Sequence, residues 1–102
     1  MPRILLTKSD NPKKKWMVIL PDGKRVRFGA TGYEDYTQHK DPERQKAYIA
    51  RHKKTEDWGD WETAGFWSRW LLWSSPSLSK AIRHIRHKFN LHIIKVTKID
   101  DE

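Results

Sequence analysis

Three residue spacings could carry chemistry. His84 and His87 stand three apart, close enough on a helix to reach one metal ion. Arg83, Arg86 and Lys88 surround them, and that positive field opposes a bound cation. His39, Asp41 and His52 imitate part of a nuclease centre, but a metal-dependent nuclease needs a tighter carboxylate or histidine set. The run FGATGYEDY (28–36) has the glycines of a phosphate cradle, yet such a cradle opens directly into a helix, and about a dozen residues intervene here. It reads as a structural turn. The residues therefore predict no enzyme, no catalytic group, no metal and no cofactor.

Positive charge is the stronger signal. The chain of 102 residues has 21 Lys and Arg against 13 Asp and Glu, a net charge of +8. The excess sits in two blocks, residues 1–54 and 77–98, and the second block contains no carboxylate. Between them, residues 55–76 are net acidic. Such a balance suits polyanions: DNA, RNA or acidic protein surfaces. The candidate contacts are Lys13, Lys14, Lys15, Lys24, Arg25 and Arg27 on the first block, and Lys80, Arg83, Arg86 and Lys88 on the second. Phosphate neutralisation needs only cations at suitable spacing, so no base preference follows. On 77–89 no carboxylate stands three or four residues from a cation, so these charges lack helical partners.

The third signal is aromatic. Trp58, Trp61, Trp67, Trp70 and Trp73 recur at multiples of three. Each buried Trp removes roughly 150–250 Å² from water, which a thin-cored small protein can hardly forgo. Trp67, Trp70 and Trp73 are expected in the core. Trp58 and Trp61 sit among Glu56, Asp57, Asp60 and Glu62, where phosphate would be repelled. Their loop either folds back over the core or presents a protein interface.

The elements that must position these residues follow from periodicity. RILLTK (3–8) and KWMVIL (15–20) read as strands, PDGK as a tight turn, and RVRF alternates as a third strand. Together they predict an antiparallel meander. Residues 29–41 read as a loop in which Thr31, Asp35 and Thr37 can bond locally to the backbone. Asp41-Pro42-Glu43 starts a helix to about Lys54, with Gln45, Tyr48, Ile49 and His52 facing inward. Thr63 caps a second helix, 64–73, apolar almost all round. Ser75 or Ser77 caps a third, 77–89, whose inner stripe is Leu78, Ala81, Ile82, Ile85 and Phe89, and Asn90 stops it. LHIIKVTKI (91–99) could add a fourth strand. The expectation is one α+β domain over 1–99, with three or four strands and three helices around a Trp-rich core, and an acidic tail at 100–102. The absence of Cys excludes disulfides and the usual structural zinc sites. No run is apolar enough to span a membrane, and MPRILLTKSD shows no signal-peptide cleavage pattern.

Phe28-Gly29, Gly32-Tyr33, Asp35-Tyr36, His39-Lys40-Asp41, Tyr48-Ile49-Ala50-Arg51-His52, Asp57-Trp58, Thr63-Ala64-Gly65-Phe66-Trp67 and Leu72-Trp73 together resemble a small uncharacterised protein family encoded by large double-stranded DNA viruses and some tailed phages. The resemblance covers about residues 15–89. Trp70 departs from it, standing where a polar or basic residue is expected, and the tail from Leu91 runs past the usual end. The family has no assigned catalytic residues, so the resemblance implies only a context: a viral protein in the virion or the infected cell, cytoplasm or nucleus, and not secreted. Two roles follow as expectations. The first is a non-enzymatic, small basic virion-associated or minor capsid structural protein, with other virion proteins as partners. The second is a DNA-binding accessory protein that grips the viral nucleic-acid backbone without sequence specificity. Neither involves a small-molecule substrate or a membrane span.

Overall fold

The computed structural model describes residues 1–96. The expected strand extension to 99 and the acidic tail at 100–102 lie outside the described residues. β1 (Arg3–Lys8), β2 (Lys14–Ile19) and β3 (Arg25–Ala30) form the antiparallel meander that alternation predicts. Its turns follow from local chemistry. Asn11 Oδ1 accepts from the Lys13 amide and Asp22 Oδ1 from the Lys24 amide, each at 2.9 Å, and Gly23 takes a φ of 91°.

β4 (His92–Lys95) joins β1 in parallel, giving the order β3-β2-β1-β4. The sheet is thus mixed rather than antiparallel throughout. Parallel neighbours require a long crossover, and everything from β2 to the last helix supplies it. One sheet face carries Ile4, Leu6, Val18, Val26, Phe28 and Ile93 into the core cluster. Leu5, Met17, Ile19 and Ile94 alternate onto the other face, outside that cluster.

The helical half matches the predicted starts and stops closely. α2 (Pro42–His52) is capped by Asp41, and α4 (Leu78–Phe89) by Ser77. Asn90 ends α4 at φ 58°, the left-handed conformation that Asn tolerates better than most residues. One helix was not expected. α1 (Tyr36–His39) forms inside the supposed loop, because Asp35 and Gln38 make a reciprocal capping box. The described residues therefore hold four α-helices, not three.

The largest departure is the tryptophan helix. Thr63 caps α3 (Ala64–Trp67) as expected, but the chain then widens into a π-helical turn over Ser68–Leu72. In an α-helix, residues five apart point roughly 140° from one another. The wider i→i+5 turn reduces that offset. It lets Leu71 and Leu72 join Phe66 and Trp67 in the core, all four no more than 1% exposed. Trp70 and Trp73 are displaced in consequence. They are half-buried and pack against the cluster rather than inside it, which corrects the expectation of three core tryptophans.

Candidate functional site

α4 is built to show its cations. Ser77 Oγ accepts from the Lys80 amide at 3.3 Å, fixing the first turn. Lys40 Nζ donates to the Pro76 carbonyl at 2.8 Å, and Gln45 Nε2 to that of Trp73 at 3.0 Å, which braces the preceding segment against α1 and α2. Ala81 and Ile85 are buried, with Leu78, Ile82 and Phe89 beside them on the core. With that stripe inward, Lys80, Arg83, His84 and His87 form the crest, and Arg86 and Lys88 flank it. All six are exposed, and none forms an ion pair among the described residues. The helix dipole favours Arg86 and Lys88 in the last turn, but it disfavours Lys80 in the first. Among the described residues Lys80 and Arg83 have no anionic partner.

The hairpin cations fare differently. Lys15 is sequestered: its Nζ lies 2.8 Å from Asp35 Oδ2 and 2.6 Å from Gln38 Oε1. Arg27 donates to both carboxylate oxygens of Asp10, at 2.6 and 2.9 Å, and Arg25 lies 3.6 Å from the same group. That bonding holds the Asp10 carboxyl below its usual pKa and raises Arg27. Lys24 pairs with Glu62 at 3.5 Å. Of the six predicted hairpin contacts, Lys13 and Lys14 are exposed without a carboxylate partner among the described residues. The structure therefore does not bring the predicted cations into one surface of equal quality. Among the described residues the α4 cations are unpaired, and most of the hairpin cations are compensated.

Trp58 and Trp61 fold back. Both are half-buried, and Trp61 packs against the core cluster. Three hydrogen bonds stitch the loop down, each 2.8 Å: Trp58 Nε1 to Glu56 Oε1, Trp67 Nε1 to the Trp61 carbonyl, and Trp70 Nε1 to the Trp58 carbonyl. A second feature results that the sequence reading missed. The Arg69 guanidinium lies 4.3 Å from the Trp70 ring and 5.2 Å from Trp58, and Lys88 Nζ lies 5.2 Å from the same Trp70 ring. Burial lowers the Arg69 pKa. Its only sequence signal is a lone cation inside an acidic, aromatic stretch. Trp70 thus links Arg69 to the flank of α4.

Among the described residues no group of three or more His, Asp or Glu could hold an ion. His39 Nδ1 accepts from the Asp41 amide at 3.0 Å. His52 pairs through Nδ1 with Glu56 at 2.8 Å. No described helix is long and apolar enough to cross a membrane.

A groove of about 530 Å³ opens between α2, the ends of β2 and β3, and the start of α3. Arg44, Ala47, Tyr48, Arg51 and His52 line it from α2, and Lys14, Lys15 and Gly29 from the strands. Gly29 has a φ of 80°, and a Cβ there would lie 2.8 Å from Leu72 Cδ1, so the residue lets the strand end approach the π turn.

No curated protein and no solved structure shows significant similarity to the chain. Residues 4–52 are similar to a family of unknown function, DUF5754, a match that spans β1 to α2 and so one wall of the groove, and stops before α3 and α4.

Proposed function

We propose that the protein is a non-enzymatic binding protein that holds a nucleic-acid backbone along the outer face of α4 without reading bases. One observation carries this reading: Lys80, Arg83, Arg86 and Lys88 project from a single helix with no carboxylate partner among the described residues. Phosphates would supply the missing counter-charge and release condensed counterions. Trp70 packs between Arg69 and Lys88, so the contact to nucleic acid is by charge and not by base stacking. Fluorescence anisotropy with labelled duplex and single-stranded DNA tests it. Affinity should fall steeply with salt and should not depend on sequence. Failure to bind either at low salt ends the proposal.

A second reading is favoured by the sheet face turned away from the core. Leu5 is 36% exposed there, with Ile19 and Ile94 beside it and Arg3, Arg25 and His92 around them. A minor capsid or virion-associated protein would bury that face against a neighbouring subunit. The viral context of both readings rests on the family resemblance. Copy number in purified particles separates them: many copies with no DNA affinity would favour the structural role. Trp58 and Trp61, half-buried and bonded to the core through their loop, would offer such a subunit only a partial aromatic edge.

A further inference from the structure

We propose that the groove between α2 and the strand ends binds a nucleoside phosphate, at a site separate from α4. The first argument is charge. Each carboxylate lining the groove already has a partner: Asp35 holds Lys15, Glu56 holds His52 and the Trp58 indole N–H, and Glu34 lies 3.5 Å from Arg44. Lys14 and Arg51 have no carboxylate partner among the described residues, and both line the same cavity. Arg44 and Glu34 offset each other across a long, exposed contact, so Lys14 and Arg51 are the cations left for an anion. The uncompensated charge facing the groove is therefore positive, and it fits a phosphate.

The second argument is shape. Trp73 and Tyr48 stack at 4.3 Å and 3°, and Tyr48 and His52 at 4.3 Å and 26°. His52 is the last ring of that column and lines the groove, and Glu56 fixes its orientation through Nδ1. Gly65 keeps room for that carboxylate, since a Cβ there would lie 2.9 Å from Glu56 Oε1. A flat base can add one more layer on His52. Arg51 immediately precedes His52 in the chain, and Arg44 lies two helical turns before Arg51 on the same face, with only Ala47 and Tyr48 between them on it. The volume lies within the range of roughly 300–1,000 Å³ typical of small-ligand sites. A planar ring with an anionic arm satisfies both arguments, and inorganic phosphate satisfies only the first. This site does not rest on nucleic-acid binding by α4.

The test is amide NMR of the full chain titrated with adenosine 5′-monophosphate, ribose 5-phosphate and adenosine. The nucleotide should give saturable shifts at Ala47, Arg51, His52 and Gly65, with a Kd of about 1 mM or tighter. Ribose 5-phosphate and adenosine should each bind roughly tenfold more weakly, having lost the ring or the charge. Arg51→Gln should weaken the nucleotide about tenfold, while Lys46→Gln, which removes a cation from the same helix outside the groove, should not. Absence of saturable shifts in the groove overturns the proposal. Equal loss from Lys46→Gln reduces it to general charge attraction and overturns it too. Equal affinity for ribose 5-phosphate shows that the base adds nothing, and it overturns the proposal as well.

Discussion

Asp35 shows how one side chain can do several jobs. It is 3% exposed, caps α1, accepts from the Thr37 amide and hydroxyl, and neutralises Lys15. Asp35→Ala should remove the cap and leave the Lys15 ammonium, 16% exposed, without its counter-charge. The expected loss is about 2–4 kcal/mol, measured by urea unfolding; a change below about 1 kcal/mol would show that the pair contributes little. The local bonding of Asp35 was legible in the sequence. Its partner was not, because Lys15 lies twenty residues away and only the sheet brings it near. Gly29→Ala is expected to lower stability by about 1–3 kcal/mol, from both the positive φ and the clash with Leu72. The Asp10–Arg27 pair makes a pH prediction. Arg27 lowers the Asp10 pKa in the folded protein, so the stabilisation is present above the unfolded-state pKa of Asp10. It is lost as pH falls through the folded value. Both groups are exposed, so the effect on stability is small, and NMR titration is the sensitive measurement. Arg27→Gln should move Asp10 back up towards its ordinary value.

At the scale of elements, caps and breakers were readable and helix pitch was not. Asp41, Thr63, Ser77 and Asn90 end or start their helices as their side chains require, since those bonds are made within a few residues. Asn90→Ala should therefore cost about 1 kcal/mol, and Asn90→Gly should be neutral or slightly stabilising. Thermal unfolding distinguishes the two, and equal losses would mean that the left-handed cap is not the operative feature. The π turn left no such local mark. It is a response to packing: Leu71 and Leu72 reach the sheet only if the turn widens, and Trp70 and Trp73 move outward as a result. Acrylamide quenching of single-Trp variants should show Trp67 fully protected and Trp70 partly accessible. Strong quenching of Trp67 would contradict the observed core.

For the whole molecule, the proposed binding depends on which charges the described residues leave uncompensated. If α4 holds a backbone, Arg83→Gln with Arg86→Gln should weaken binding across all sequences and reduce the salt slope by about 2. The same measurement on Lys24→Gln should show a smaller change, since Glu62 already faces that ammonium. Composition and periodicity by themselves determined the α+β class, the meander, the amphipathic α4 and the positive balance, because each rests on interactions between residues near in sequence. The tertiary structure decided the rest. It paired β4 parallel to β1, folded Trp58 and Trp61 down, set Asp10 against Arg27, and opened a groove beside Tyr48 and His52. These are contacts between residues remote in the chain, and a pattern of residue types does not carry the geometry that selects one partner among many.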